Sequence, residues 1–385
     1  MNVLDTTKAL LKELIAFPTI SSNSNLDMID CLAQYLSSSG ATVEIWRDES
    51  GRKANLFATI GPNIDDGIVL SGHCDVVPTA DQDWTNDPFE MIERNGKLFG
   101  RGTCDMKGFI AAAVAMAPRY AQLNLKRPIH FAFTYDEEVG CFGAQALAQS
   151  LRQHRLNPAV AIVGEPTSMR IIEGHKGCYE YITHFTGLEG HGSNPDQGVN
   201  AVEYATRYVS RLLELKDELR SKAPKNCRFE PPWTTINTGA LIGGTARNVI
   251  PGKARVEWEM RPVQPSDADF VKNHLDQYCT HALLPAMQAI CPDASVVTEI
   301  IAEVDGLEPV PENEARTILS ELTGTHETDL VSFGTEAGMF QALGMTVVVC
   351  GPGSIEQAHK SDEYVSVTQI SQCLEMLDRL CERLV

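Results

Sequence analysis

The sequence predicts an α/β fold: a mixed, largely parallel sheet flanked by helices, with an α+β domain inserted into it. Three observations carry this. Short apolar runs alternate with segments of helical period through the first half of the chain, the pattern of buried strands joined by helices. The middle turns to strand, helix, strand, strand, and from about Pro285 the first pattern resumes. The chain therefore divides into residues 1–173, an insert of 174–284 and residues 285–385, with the first domain built from both ends.

The elements follow in order. Thr6–Phe17 carries Ala9, Leu10, Leu14 and Ile15 at helical spacing and stops at Pro18, which lacks the N–H that a helix interior needs. Leu26–Ser37 is a second helix, closed by Gly40. Ile68-Val69-Leu70 is a continuous apolar run, as in a strand buried on both faces. Phe109–Met116 is an Ala-rich helix, Ile129, Phe131 and Phe133 alternate into a strand, and Ala159–Val163 is another. In the insert, Tyr179–Thr186 reads as a strand ending at Gly187. Ala201–Leu219 is an amphipathic helix with Val202, Ala205, Val209, Leu212, Leu213 and Leu219 as its apolar positions. Trp233–Leu241 and Lys253–Met260 are antiparallel strands around Gly243-Gly244, and Met345–Cys350 is a strand of the resumed pattern. No internal repeat, low-complexity tract or long linker interrupts this plan.

Bulk composition narrows the partners. With 385 residues the chain is long enough for two domains of roughly 100–200 residues each. Its net charge of −19, from 32 Lys+Arg against 51 Asp+Glu, repels phosphate backbones, so nucleic acid is not an expected partner. Eleven Cys occur without a C-x-x-C pair, which argues for reduced thiols in the cytosol and against a disulfide framework. Cys74, Cys104, Cys141 and Cys178 lie beside the motifs below and read as small buried residues. The N-terminal residues lack a basic region followed by an apolar stretch. No run approaches the roughly 18 apolar residues of a spanning helix, so neither a signal peptide nor a membrane span is expected.

The chemistry-bearing residues fall at the ends of these strands. His73 and Asp75 stand in Ser71-Gly72-His73-Cys74-Asp75-Val76-Val77-Pro78, Glu137 and Glu138 in Asp136-Glu137-Glu138-Val139-Gly140, Glu165 in Gly164-Glu165-Pro166-Thr167, and His359 in Gln357-Ala358-His359. Open α/β sheets gather ligands at the carboxyl ends of their strands, so these segments can converge on one crevice. Asp105 sits in a Gly-rich turn, Gly100–Gly108, ahead of a helix. Taken singly, Asp105 could cap that helix, Glu137 and Glu138 could be an acidic surface turn, and His73 or His359 a solitary histidine. Together, imidazoles and carboxylates suit a hydrolytic metal site in which one carboxylate of a pair holds metal and the other moves protons. Spacing alone does not say which of Glu137 and Glu138 does which. Asp75, two residues after His73, can accept the second ring N–H of a metal-bound imidazole. Glu336, in Phe333-Gly334-Thr335-Glu336-Ala337-Gly338, is a candidate partner for a cationic substrate side chain.

These motifs, with His191 to Ala201, Asn248-Val249-Ile250-Pro251 and Gly351–Tyr364, resemble the zinc aminoacylase/carboxypeptidase family. That family includes acetylornithine deacetylase, succinyl-diaminopimelate desuccinylase and glutamate carboxypeptidase. The resemblance covers essentially the whole chain, and the Gly351–His359 segment followed by Asp362-Glu363-Tyr364 most resembles the acetylornithine deacetylase branch. It implies a zinc-exopeptidase-like fold and two Zn²⁺ ions per subunit, for which Co²⁺ or Mn²⁺ could substitute. It further implies Asp105 as the bridge, His73 and Glu165 on one ion, Glu138 and His359 on the other, and Glu137 as general base.

The insert would be a lid that dimerises, with His191 reaching the partner subunit's site to meet an oxyanion, and Asn248 and Arg261 binding a substrate carboxylate. An ion pair within the fold is as good a reading of Arg261. Relatives commonly have Ser after this His, whereas Gly192 stands here, which would loosen the loop. The activity implied is removal of the acetyl group from an N-acetyl amino acid by a cytoplasmic homodimer, N-acetyl-L-ornithine foremost. N-acetyl-L-citrulline, succinyl-diaminopimelate and dipeptides are alternatives on the same scaffold. A binding protein without activity would have lost a ligand or the base, and this chain retains them all.

Overall fold

The continuous apolar runs of the first half become the central strands of an eight-stranded sheet in the computed structural model, which describes residues 2–385. In spatial order the strands are Thr42–Arg47, Ala54–Ile60, Ile129–Thr134, Ile68–His73, Val160–Pro166, Thr346–Gly351, Ile171–His175 and Thr328–Val331. The four from Ile129–Thr134 to Thr346–Gly351 run parallel to one another. Ala54–Ile60 pairs antiparallel with both Thr42–Arg47 and Ile129–Thr134, and Ile171–His175 antiparallel with Thr346–Gly351. The sheet is thus mixed with a parallel centre. Every residue of Ile68–His73 and Ile129–Thr134 is buried, as strands covered on both faces require.

This sheet belongs to a unit made of residues 2–174, 309–330 and 335–385. Helices Val3–Ile15, Leu26–Ser38, Lys107–Ala121 and Val367–Leu384 give Leu10, Leu32, Ile110 and Leu377 to a core shared with Leu56, Leu70 and Phe131 of the sheet. Each such fully buried side chain contributes roughly 1.5–3 kcal/mol. The first helix starts at Val3, before the expected Thr6, because the Asn2 side chain caps it by accepting the Asp5 N–H at 2.8 Å.

The second unit comprises His175–Glu308 with Val331–Gly334. Its four-stranded antiparallel sheet has the order Thr235–Gly243, Lys253–Arg261, Cys178–Thr186, Ser295–Val304. Alternate residues Tyr179, Tyr181, Thr183 and Phe185 are buried. Tyr181 and Phe185 share a core with Tyr208 and Leu212 of helix Ala201–Ser221 and Val271 and Leu275 of helix Pro265–Tyr278. The insert therefore runs past the expected Leu284. Ser295–Val304 pairs with Cys178–Thr186, although its apolar run looks, as a sequence, like a strand of the resumed α/β pattern.

Candidate metal centre

Parallel strands deliver the site because their carboxyl ends all face one way. His73 is the last residue of Ile68–His73, and Glu165 is the penultimate residue of the adjacent Val160–Pro166, so both lie within strands that were expected to end before them. Glu137 and Glu138 follow Ile129–Thr134 on one side, and His359 follows Thr346–Gly351 on the other. Gly164 lets the sheet approach the helix that Asp105 precedes, since a Cβ there would stand 1.9 Å from the Phe109 ring.

The expected ligands meet. His73 Nε2 lies 3.0 Å from Asp105 Oδ1 and 3.7 Å from Glu165 Oε1. His359 Nε2 lies 2.9 Å from Glu138 Oε2 and 3.4 Å from Asp105 Oδ2. Asp105 thus turns one oxygen to each imidazole. Donor atoms of His73, Asp105 and Glu138 lie within 4.8 Å of one another, and so do those of His73, Glu137 and Glu165. Asp105 does not cap the helix Lys107–Ala121, whose N-cap is Met106 with no side-chain cap bond.

Backbone groups fix these side chains. His73 Nδ1 donates to the Asp75 carbonyl oxygen at 2.9 Å, which leaves Nε2 as the ligand nitrogen. The carbonyl, more than the Asp75 carboxylate at 3.6 Å, holds the ring. That carboxylate instead accepts the Glu137 N–H at 3.0 Å, the Glu138 N–H at 3.3 Å and the Ser21 hydroxyl at 2.6 Å, so it shapes the turn of the paired glutamates. Glu363, fully buried, accepts the N–H groups of Gly102, Cys104 and Asp105 at 3.0, 2.8 and 3.1 Å. Reading by motif assigns no role to Ser21, Arg101 or Glu363, although the last two stand inside the motifs. Only the folded chain brings Glu363 under the Asp105 loop.

The electrostatics ask for positive charge. Burial first, then neighbouring carboxylates, push Glu137 and Glu165 well above the usual carboxylate range against the pull of His73. Burial would lower His73, but Glu165, Asp105 and Asp75 raise it well above the usual imidazole range. His359 is raised to about 10 by its hydrogen bonds to Asp105 and Glu138. Glu165 Oε1 is buried with no hydrogen-bond partner, which costs roughly 1–3 kcal/mol unless something satisfies it. An orphaned oxygen among mutually repelling carboxylates, with imidazoles that the same carboxylates pull toward the protonated form, fits a site for divalent cations.

The remaining expected residues have other partners. Glu336 does not present itself to a substrate: it is 0% exposed, and its oxygens accept the Ser71 and Thr134 hydroxyls at 2.6 Å each. A buried carboxylate among hydroxyls is an internal acceptor, which corrects the expected contact with a substrate side chain. In the second unit, Arg261 donates Nε and Nη2 to Glu259 Oε2 at 3.0 and 2.7 Å, the ion pair within the fold. His191 and Asn248 are both exposed there, and the Gly190–His191 strand pairs with Val249–Ile250. Gly192 does not loosen this loop. Its N–H donates to the Asn248 carbonyl at 2.8 Å, and a Cβ would meet that backbone at 2.9 Å.

A fold and a ligand set of this kind define a class. The model of peptidase family M20/M25/M40 matches residues 69–383, and the chain belongs to this family. It is a metal-dependent amidohydrolase. Acetylornithine deacetylase of Pectobacterium atrosepticum is 35% identical over 378 residues, 96% of each chain. Acetylornithine deacetylase of Salmonella arizonae is 34% identical over 386 residues, 98% of each. Among solved structures, aminopeptidase PepT from Bacillus cereus matches with a TM-score of 0.73 at 18% identity, covering 99% of this chain and 98% of that one. The M20 family metallo-carboxypeptidase Sso-CP2 from Sulfolobus solfataricus matches with a TM-score of 0.74 at 16% identity, covering 98% of both. These two likenesses speak to the fold. No helix among the described residues is long and apolar enough to cross a membrane.

Proposed function

We propose that the chain removes the acetyl group from N-acetyl-L-ornithine, giving L-ornithine and acetate, as a cytoplasmic step of arginine biosynthesis. The observation that carries the hydrolytic reading is the convergence of His73, Asp105, Glu138, Glu165 and His359 with Glu137 beside them. The substrate is favoured by near-full-length similarity to relatives named acetylornithine deacetylase. His73 and Glu165 would hold one divalent cation and Glu138 and His359 a second, with Asp105 between them. Zinc is the proposed metal, and Co²⁺ or Mn²⁺ substitutes.

When bound, such cations lower the pKa of water from about 15.7 to about 7 and polarise the scissile carbonyl. Glu137 accepts the proton of the attacking water and delivers it to the departing amine. Burial that raises its proton affinity suits a group that must take a proton and then give it up. Asp75 holds the Glu137 and Glu138 amides so that the two side chains take separate tasks. His191 donates to the developing oxyanion from the partner subunit of a homodimer, an interaction worth about 2.7–4 kcal/mol. Asn248 meets the substrate carboxylate.

The test is a panel of N-acetyl amino acids, succinyl-diaminopimelate and dipeptides, assayed on protein of measured metal content. N-acetyl-L-ornithine is expected to have the highest kcat/KM. Faster cleavage of N-acetyl-L-citrulline, the succinyl compound or a dipeptide replaces the substrate. No cleavage of any of them by metal-loaded protein ends the hydrolytic reading.

A further inference from the structure

The turn that carries His359 is gripped from outside by polar groups that the proposed reaction does not use. His359 and Asp362 both have left-handed backbones, with φ of +61° and +54°. Residues other than glycine keep that conformation only where their surroundings enforce it. Gln82 Nε2 donates to the His359 carbonyl at 2.7 Å. Gln82 Oε1 in turn accepts from Arg101 Nη2 at 2.5 Å and from Trp84 Nε1 at 3.3 Å. The Arg101 guanidinium stacks over the Trp84 ring at 5.1 Å.

Arg101 Nη1 continues the array, donating to Glu363 Oε2 at 2.7 Å and to the Lys360 carbonyl at 3.4 Å. Arg101 and Glu363 are 1% and 0% exposed, so this charge pair is withdrawn from water and held rigid by its neighbours. The Glu363 carboxylate also takes the amides of Gly102, Cys104 and Asp105. One array, buried at Arg101 and Glu363, therefore grips the backbone on both sides of a cation site, at the Asp105 loop and at the His359 turn. Arg101 lies too deep to meet substrate, and Gln82 touches the ligand only through its carbonyl.

We propose that Gln82, acting with Arg101 and Glu363, is a positioning residue that sets His359 against Asp105 and Glu138 and so tunes the affinity of the cation those three would share. The inference rests on the two-cation reading above. It predicts that loss of Gln82 weakens one cation and spares the other, because Gln82 holds only the His359 turn. Glu363 keeps the Asp105 loop, and strands that Gln82 does not touch deliver His73 and Glu165. Partners that orient metal ligands typically change metal affinity by about 10–100-fold when removed.

The experiment counts zinc retained by the zinc-loaded full-length chain over a series of chelator-buffered free Zn²⁺ concentrations. The wild-type chain is expected to lose its zinc in two steps. Gln82→Leu should shift one step by about 10–100-fold toward higher free Zn²⁺ and leave the other in place. Gln82→Glu keeps an acceptor for Arg101 but lacks the donor to His359, and should shift the same step. In a His359→Ala background, Gln82→Leu should add nothing. The proposal is overturned if Gln82→Leu releases both ions at wild-type concentrations, shifts both steps alike, or adds its full effect to His359→Ala. A wild-type chain that retains fewer than two zinc ions overturns the two-cation reading itself, and the clamp with it.

Discussion

Glu137 and Glu138 are neighbours in the chain, and the fold gives them different company. Glu138 faces His359 at 2.9 Å, whereas Glu137 shares its surroundings with His73 and Glu165 and has the Cys141 thiol 3.7 Å from its Oε1. Glu137→Gln is therefore expected to keep both cations and lower kcat by about 10²–10⁴-fold, the usual worth of a positioned base. Loss of a cation in that variant, measured by metal analysis, would exchange the two roles. Glu336 makes the opposite case. Its oxygens are taken by Ser71 and Thr134, so Glu336→Gln should leave the preference between N-acetyl-L-ornithine and N-acetyl-L-citrulline unchanged. Thermal unfolding should show a cost of about 1–3 kcal/mol, because one buried acceptor becomes an amide that must find new partners. A changed preference would return Glu336 to the substrate.

At the scale of elements, what reads directly from the sequence is a clear apolar pattern. Ile68–His73 and Ile129–Thr134 are legible because the first opens on the run Ile68-Val69-Leu70 and the second alternates Ile129, Phe131 and Phe133. The antiparallel Thr42–Arg47 and Ala54–Ile60 strands and the short Ile171–His175 are not, although the last is buried throughout, because Glu173 and His175 interrupt its apolar pattern. Thr42–Arg47 is an edge strand with no fully buried residue, so its pattern is mixed. The ligands are legible because a hydrolytic cation site admits few residue types. Glu363, Arg101 and Gln82 are not, because a carboxylate holding amides is known only by the loop that the fold places against it.

One buried strand residue has a consequence for acid stability. Burial lowers His130 to about 4, and its Nδ1 meets the Thr59 hydroxyl at 2.9 Å. A histidine whose folded pKa lies below its unfolded value of about 6.5 binds fewer protons when folded, so the stability it supports is lost as pH falls from about 6.5 to about 4. That loss is of order 3 kcal/mol and is constant below the lower value. His130→Gln should flatten the difference in unfolding free energy across this window, as read by chemical denaturation at several pH values. An unchanged slope would mean that His130 is not held neutral.

At the scale of the whole molecule, residues on both sides of the insert build one unit that holds the candidate metal ligands, and the insert carries His191. If His191 serves the partner subunit, His191→Ala should lower kcat by about 10²–10³-fold with metal content intact. Mixing that variant with Glu137→Gln should then restore a substantial share of activity, since a mixed dimer holds one complete site. Mixing without recovery would confine His191 to its own chain or remove it from the reaction. The far boundary of the insert is legible only in the fold. Ser295–Val304 has the composition of a central strand, and it exposes Val297 and Ile300 at 57% and 61% on the edge of the smaller sheet.

The place of Thr346–Gly351 between Val160–Pro166 and Ile171–His175 has a consequence during translation. A ribosome releases the two outer strands well before the one that joins them, by roughly ten to thirty seconds at about 5–20 residues per second. Throughout that interval the nascent chain bears two unpaired edges where a finished molecule has none, open to strand exchange with other chains. A message cut short before codon 346 would leave them open permanently, so such fragments should be clients of holding chaperones or should aggregate.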